Sequence, residues 1–578
     1  MARSNGNTWK LALGSVGVVY GDIGTSPLYA MREGLRAAAD EGLTEREVIG
    51  ITSLLLWTII VIVTFKYVIL ILRADNNGEG GTLSLLALAQ SAVGRRTPWL
   101  LALGIIGTSL FFGDAMITPA ISALFGPITM VWFLTMAALG ITHISDQFGI
   151  MQAFNPLEAL GFLSNHGVAA LPVMGSIFLA ATGAEALHAD LGHFGRRPIR
   201  LAGSLLVFPA LALDYLGQGA FVLAHPEAAS NPFFLMAPAW GLLPLVILAT
   251  VATVIASQTV ISGAFSLTHQ AVQFGLLPRL EVRHTSESLM RQIYLPRVNW
   301  TLMAGVLLLV VTFGSSSALA SAYGIAVTGD MVITSLLAAV VFRRVWGWPI
   351  WLVAAVVLPL LVIEGSFLAA NLAKVLDGGY VPLIIAGIVG LLIWAWVRGT
   401  DIVQTKARSD SIPLDTLLAS LAKSAPVAVP GTAVFLTANP EVAPPALMHN
   451  LKHNRVLHHS NLIVKVNVET APRVSEAGRI EVRRIDDRFA LVTLHFGYME
   501  QPNVPMALAL GRPRNLRTEI MSTTYFLNRR TFRAAPNRRM PFWQSRLYVS
   551  MAKAASDATD FYRIPSNRVL ELGQQFTI

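Results

Sequence analysis

Three stretches of this sequence place acidic and hydroxyl side chains inside otherwise apolar segments. The first holds Asp22, Thr25 and Ser26 among three glycines and a proline, within residues 17–29. Glycine and proline interrupt helices, and unwound backbone at membrane depth is tolerated only where it lines a cavity. Carbonyl oxygens with one carboxylate suit a hard, weakly hydrated cation. The alternative is a simple kink with Asp22 paired to a basic group, and Lys66 is the only Lys or Arg well inside the first three apolar stretches.

The second stretch carries Asp114, Thr118 and Ser122 at intervals of four residues. Residues four apart share one face of a helix, so a carboxylate and two hydroxyls would line a cation path. The alternative for Thr118 and Ser122 is a hydrogen bond back to a carbonyl one turn earlier.

The third stretch places Thr182 and Glu185 three residues apart on one helix face. A glutamate surrounded by Ala, Leu and Gly solvates its charge poorly, so it could take up and release a proton near neutral pH. The alternative is a helix-end acid exposed to water. His188 and His193 could titrate too, but their spacing and the lack of a third ligand argue against a metal site.

The elements that position these residues are membrane spans. Hydrophobic residues make up 54% of the 578 residues and charged residues 13%, against about 25% in soluble domains. Apolar runs fill about the first 400 residues, and charges become frequent from Arg398 onward. We therefore predict a transmembrane domain at 1–400 and a soluble domain at 401–578. The net charge of +9 fits cytoplasmic loops, with nucleic-acid binding the weaker alternative. The absence of cysteine excludes disulfides.

A span needs about 20 mostly apolar residues. The first candidate is interpreted as a span, because no small-residue cleavage pattern follows it. Eleven segments qualify: 11–31, 49–72, 98–122, 125–141, 168–187, 199–223, 238–268, 300–320, 322–342, 349–374 and 379–398.

The charges of the loops conflict with this count. Basic residues place the loops 73–97 and 195–200 inside, whereas 32–48 and 142–167 should be external. The chain must cross an even number of times between the two inside loops, yet three candidates lie there. Either one does not cross or a span is absent, and the suspect point is the join at 123–127. If a span is missing, the two glycine-interrupted spans, 11–31 and 168–187, are the first members of two successive blocks of five spans. This is the layout of inverted-repeat carriers.

Several motifs, in order, resemble those of the KUP/HAK/KT potassium-uptake family. They are Gly21–Tyr29, Asn76–Gly81, Gly113–Ser122, Thr182–Leu187, Gly217–Ala220, His284–Ser286 and Gln292–Tyr294. The resemblance covers about residues 10–400 and extends more loosely into the tail.

This resemblance implies an all-α, LeuT/APC-like inverted-repeat carrier in the bacterial inner membrane. It would have twelve spans and a cytoplasmic α/β domain, and it would import potassium with protons, without enzymatic activity or a cofactor. A homodimer through the cytoplasmic domain is an open alternative. Carried over residue by residue, the potassium ligands would be Asp22, Tyr29, Asp114, Thr118, Ser122 and Thr182, and Glu185 would couple the proton.

Four positions depart from the family pattern. His188 stands where Tyr is usual, Asp214 where Asn is usual, and Arg291 where Gly is usual. The largest departure is at Ala123–Phe125, where the family carries about forty more residues that include the fourth span. Its absence explains the odd count and puts transport activity in doubt.

The tail alternates strand and helix patterns. We predict strands at Val427–Thr437, Asn461–Glu469, Ala490–Phe496 and Thr523–Asn528, and helices at Pro444–Leu457 and Pro541–Tyr562. No phosphate loop of the GxxxxGK[ST] type occurs, which disfavours an ATP-driven pump. His449, His453, His458 and His459 are interpreted as surface residues rather than as a metal site.

Three other readings stay open. A potassium channel is disfavoured because Ala322–Ile325 only faintly resembles a selectivity filter. A transport-deficient or regulatory member of the family would follow from the missing span. An amino-acid carrier of the same fold is disfavoured because Asp22 and Asp114 would repel a substrate carboxylate.

Overall fold

The computed structural model forms two compact units. The first comprises Met1–Leu267, His284–Tyr294 and Val298–Gly390, and the second Thr268–Arg283, Leu295–Arg297 and Leu391–Ile578. The residues that the structure describes are 8–38, 43–76, 79–94, 97–115, 125–189, 191–284, 293–314, 316–409, 412–424, 426–469, 471, 473–498, 500–511, 522–533, 540–555 and 557–577.

Within these described residues, nine helices are long and apolar enough to cross a membrane. They are Glu45–Arg73, Phe125–Ile144, Pro156–Ala181, Arg196–Ala224, Leu242–Gln273, Pro296–Phe313, Tyr323–Arg344, Ile350–Ala373 and Tyr380–Ala407. The first predicted span is divided into short helices, and the third is described only as the helix Pro98–Ala115. A multi-pass membrane protein is therefore confirmed, while the count of eleven spans stays a prediction.

The first predicted span is interrupted where its glycines predicted a break. A helix ends at Val18, a short helix covers Gly21–Thr25, a tight 3-10 turn covers Ser26–Leu28, and a further helix covers Ala30–Ala38. The break leaves both ends of the short central helix inside the buried part of the unit.

The predicted span at 168–187 differs from the structure at its start. Helical structure begins at Pro156 and continues, through short 3-10 turns, to Ala181. The prediction of 142–167 as a loop was therefore wrong over Pro156–His166. The signal was local: Asn155 caps this helix by accepting a hydrogen bond from the Leu157 N–H at 3.1 Å, with proline at the first helical position.

The same chain segment breaks again at Thr182 and Gly183. Thr182 has an extended backbone, Gly183 has a φ of +78°, and a short helix, Ala184–Ala189, follows. Only glycine adopts such a positive φ at little cost, which fixes the position of the break.

The second unit contains a six-stranded sheet. Its strands are β1 (Val427–Leu436), β2 (Val456–Glu469), β3 (Ile480–Arg484), β4 (Phe489–Gly497), β5 (Thr523–Arg533) and β6 (Val569–Thr577). The strand order is β3-β4-β2-β1-β5-β6, and every neighbouring pair is parallel except β3 with β4. The predicted α/β domain is confirmed.

Alternating side chains of this sheet are buried on both faces. Val434, Leu462 and Val464 pack on one face, and Phe435 and Ile463 pack on the other. Mostly parallel sheets are covered in this way by helices on both faces. The covering helices are Leu414–Lys423, Pro445–His449 with its continuation Asn450–Asn454, and Val504–Ala509.

The tail prediction found four of the six strands. It missed β3 and β6, which lie at the sheet's edges and have partly exposed, polar compositions. The predicted helix Pro444–Leu457 was wrong at its end, where β2 begins at Val456. The predicted helix Pro541–Tyr562 was too long, because the helix Phe542–Ala554 stops and only a short turn, Ala558–Phe561, follows.

A carboxylate on β2 should make this domain sensitive to acid. His495 Nδ1 lies 2.6 Å from Glu469 Oε1, and this hydrogen bond is the main cause that holds the pKa of Glu469 below its ordinary value. A group with a depressed native pKa contributes stability above its ordinary pKa and loses it as the pH falls through the native pKa. The two side chains are 22% and 36% exposed, so the contribution is about 0.5–1 kcal/mol.

We expect Glu469→Gln to lower the opening free energy of β2 and β4 at pH 7 and to lower it less at pH 3. Hydrogen exchange of the full chain, followed by mass spectrometry, measures this difference. Glu476→Gln, a conservative change of a different acid in the same domain, is the control. An equal effect of Glu469→Gln at both pH values would contradict the assignment.

Candidate ion-binding site

The two helix breaks meet inside the first unit. Thr182 Oγ1 lies 3.0 Å from Ser26 Oγ and 3.4 Å from the hydroxyl oxygen of Tyr29. A Cβ atom on Gly183 would come within 2.7 Å of Asp22 Oδ2, so the Asp22 carboxyl group packs directly against the second break. Segments about 150 residues apart in sequence thus bring one carboxylate and three hydroxyls together.

Side chains hold the backbone of the first break in place. The Trp132 indole donates a hydrogen bond to the Gly24 carbonyl at 2.8 Å, and the Gln218 amide donates to the Pro27 carbonyl at 3.1 Å. The Thr25 hydroxyl donates to the Asp22 carbonyl at 2.8 Å. These three carbonyl groups, which the sequence suggested as ligands, therefore have protein partners. Side-chain oxygens are the better candidates for holding an ion.

The structure brings together three of the six predicted potassium ligands: Asp22, Tyr29 and Thr182. Asp114 lies in the last turn of the helix Pro98–Ala115, but its side chain is outside what the structure describes. Thr118 and Ser122 lie outside the described residues. Ser26 was absent from the predicted ligands, although the same glycine-rich motif carries it.

Lys66 is not the partner of Asp22 that the kink alternative required. Its ammonium group lies 2.5 Å from Glu364 Oε1 and donates a second hydrogen bond to the Met331 carbonyl at 2.8 Å. Both side chains of the pair are at most 1% exposed. The Ser335 hydroxyl donates to the other Glu364 oxygen at 2.7 Å. No sequence pattern indicated this pair, because its members lie 298 residues apart.

Glu185 lies on the short helix that follows the second break. Its Oε1 accepts a hydrogen bond from the Tyr67 hydroxyl at 3.2 Å. Its side chain is partly buried. The alternative of a fully solvated helix-end acid does not fit this contact.

His188, on the same short helix, is buried and bound to the loop that precedes the third predicted span. Its Nδ1 accepts a hydrogen bond from the Gly81 N–H at 3.0 Å, so Nε2 carries the proton and donates to the Ala74 carbonyl at 3.3 Å. A Cβ atom on Gly80 would overlap the His188 carbonyl oxygen. Gly80 and Gly81, at the end of the Asn76–Gly81 motif, and Ala74 therefore contact this short helix and hold it in place.

The segment that faintly resembled a channel filter is helical. Ala322–Ile325 lies inside the helix Ser316–Arg344. A potassium filter presents a row of backbone carbonyls to the ion, whereas helical carbonyls are used within the helix. Among the described residues, no group of three or more His, Cys, Asp or Glu side chains could hold a metal ion.

Two family models match this chain. The family model described as "K+ potassium transporter integral membrane domain" matches residues 9–124 and 121–401. The one described as "K+ potassium transporter C-terminal domain" matches residues 430–578.

Curated relatives match over nearly their whole length. The "Probable potassium transport system protein Kup 1" of Sinorhizobium medicae (strain WSM419) is 51% identical over 613 residues, which cover 98% of this chain and 97% of the relative. The protein of the same name in Agrobacterium fabrum is 51% identical over 622 residues, which cover 100% and 97%. "Probable potassium transport system protein Kup 2" of Rhodopseudomonas palustris is 51% identical over 615 residues, which cover 99% and 97%.

These alignments also bear on the prediction that a span is absent. The alignment with the Agrobacterium protein has 622 positions, which is 44 more than the 578 residues of this chain. The relative therefore carries at least that many residues that this chain lacks. The family model divides its match at residues 121–124, where two predicted spans join without a loop. By its two family matches and its full-length relatives, this chain belongs to the potassium transporter family.

Proposed function

We propose that this protein takes up potassium across the plasma membrane, with uptake coupled to proton entry by alternating access. The observation that carries the proposal is the meeting of the two helix breaks, where Asp22, Ser26, Tyr29 and Thr182 converge. One carboxylate supplies the charge that a monovalent cation needs, and hydroxyl oxygens replace its water. The relatives are named potassium transport system proteins, and we therefore take potassium as the cation that this site binds.

The complete ligand set in this proposal is Asp22, Tyr29, Asp114, Thr118, Ser122 and Thr182, to which the structure suggests adding Ser26. Glu185 is the proton-coupling group. Its position directly after the Thr182–Gly183 break supports this role, because a change at the ion can reach Glu185 through one short helix.

In this proposal the family has a LeuT-like fold with twelve spans, and this chain lacks one of those spans. It also places the protein in the bacterial inner membrane with the domain 401–578 in the cytoplasm. The basic residues of the tail and of the segment 278–297 support this orientation. Arg279 of that segment donates to the Tyr562 hydroxyl at 3.1 Å within the second unit. A homodimer through the cytoplasmic domain is a further prediction.

The second candidate function is a transport-deficient member of the family, and the missing 44 or more residues favour it. Potassium-limited growth of a bacterial strain without its own uptake systems separates the two. Rescue supports the carrier. Failure to rescue, with the protein present in the membrane, contradicts an active carrier, and rescue after the absent span is restored then locates the defect.

Glu185→Gln should abolish proton-dependent accumulation of potassium, because glutamine cannot carry the proton. Uptake is measured in vesicles with and without an imposed proton gradient, in this chain if it is active and otherwise in the version with the span restored. Glu227→Gln, at an exposed acid, is the control and should retain the response. Unchanged proton dependence in Glu185→Gln would refute its assigned role.

A further inference from the structure

Ionisable side chains from four helices form a cluster around Tyr67 in the first unit. Two of them, Lys66 and Glu364, make the buried ion pair described above. The other two are Glu185, which accepts the Tyr67 hydrogen bond, and Asp330. All three carboxyl groups lie close enough to the Tyr67 hydroxyl to act on it electrostatically. We call these five residues the Tyr67 cluster.

Asp330 lies on the helix Ser316–Arg344 and is 1% exposed. Its carboxyl group lies beside the side chains of Glu185 and Thr82, although the Thr82 hydroxyl makes no hydrogen bond to it, and within the electrostatic reach of Lys66. Gly107 on a neighbouring helix makes room for it, because a Cβ atom there would come within 2.8 Å of Asp330 Oδ1. The packing of these two helices therefore leaves space for the Asp330 carboxyl group.

The Tyr67 cluster contains three carboxyl groups but one ammonium group. Lys66 and Glu364 neutralise each other at 2.5 Å, and the carboxyl groups of Glu185 and Asp330 lie side by side. In the described part of the chain, neither oxygen of Asp330 has a hydrogen-bond donor. Two carboxylates offer acceptors only, and two like charges at one buried site oppose each other. One proton between them would supply the missing donor and remove one charge.

We propose that Asp330 is the second carboxyl group of the proton-coupling site and that it shares one proton with Glu185. This inference rests on the proposed role of Glu185 and adds a residue from another helix. With the proton bound, one carboxyl O–H donates to the other carboxylate. When the proton leaves, two negative charges face each other, so the contact between Ala184–Ala189 and Ser316–Arg344 weakens. Proton release therefore produces electrostatic repulsion between these two helices.

Infrared difference spectroscopy of the full chain in lipid vesicles tests the shared proton without requiring transport. Carbon-13 labelling of aspartate separates the carboxyl bands of Asp330 from those of Glu185 during a pH titration. The variants are Asp330→Asn, Glu185→Gln and the double variant. The remaining charged and titratable members of the Tyr67 cluster, Lys66, Tyr67 and Glu364, stay unchanged in all of them.

We expect each single substitution to shift the titration midpoint of the remaining carboxyl group by about one pH unit or more, as for groups that bind a proton jointly. The double variant should lose both signals. If each single variant only deletes its own band and leaves the other midpoint in place, the shared proton is refuted.

Asp330→Glu keeps a carboxyl group and serves if Asp330→Asn does not fold. It should retain two mutually dependent bands, and independent titration in this variant would also overturn the proposal. The uptake assay of Glu185→Gln reports on coupling separately. A coupled pair in the spectra together with unaltered proton dependence of uptake would reject the transport role while leaving the shared proton intact.

Discussion

Lys66→Met should destabilise the membrane unit by about 3–5 kcal/mol, because it leaves Glu364 as a buried charge without its counter-ion. The substitution also removes the donor to the Met331 carbonyl. Methionine has nearly the length of the lysine side chain, so loss of packing contributes little. Thermal unfolding of the purified chain in detergent, together with its yield in the membrane, measures the effect.

The double variant Lys66→Met with Glu364→Leu is the matched control. Replacing both members of a buried pair by apolar residues is often neutral or stabilising, whereas removing one is costly. We therefore expect the double variant to recover most of the lost stability. A single variant as stable as the unmodified chain would show that Glu364 has another means of neutralisation.

Asp22→Asn should remove most of the stabilisation that potassium gives to the folded protein. A ligand at about 100 times its dissociation constant stabilises the folded state by about 2.7 kcal/mol. In the proposed site, the described ligands include one carboxylate, so the isosteric amide removes the charge that attracts the ion while it keeps the shape. The measurement is the shift in unfolding temperature on exchanging potassium for a large organic cation at constant ionic strength.

This binding assay does not depend on a complete transport cycle, which suits a chain that lacks 44 or more residues of its relative. Glu227→Gln, which removes an exposed acid, should keep the full potassium-dependent shift. Thr182→Ser keeps the hydroxyl at the break and should keep most of it. If Asp22→Asn retains the full shift, the ion binds elsewhere.

Glycines and a proline predicted the position of the first helix break, because they act locally. The second break was not located: Thr182 and Glu185 were expected on one face of a continuous helix, whereas the helix is broken between them at Gly183.

Asp22, Tyr29 and Thr182, which the family resemblance named as potassium ligands, lie close together, and their role as ligands stays a prediction. The sequence did not predict that side chains would donate hydrogen bonds to the carbonyl groups that the first break releases from the helix. Trp132 and Gln218 reach the first break from helices whose packing no local pattern specifies.

The contacts within the Tyr67 cluster were even harder to predict from the sequence. Lys66 was visible as an isolated cation in an apolar segment, but its partner Glu364 lies 298 residues away. Asp330 was not recognised at all, because a single acid in a long apolar helix carries no spacing signal. Long-range contacts of this kind depend on how the helices pack, and one sequence does not contain that information in readable form.

In the tail, strand prediction succeeded where apolar β-branched runs are buried, as in β1 and β2. It failed for β6, whose exposed glutamine and glutamate residues resemble a loop. Edge strands are paired on one side only, so their side chains need not be apolar.

The two hydrogen bonds of His188 make this residue a natural spectroscopic reporter. With Nδ1 accepting from Gly81 and Nε2 donating to Ala74, the ring is held in one tautomer for as long as the short helix keeps its contacts with Gly81 and Ala74. The nitrogen-15 resonances of a labelled His188 would distinguish the docked state from a released one. His188 thus gives this protein a built-in signal for movement of the helix that carries Glu185.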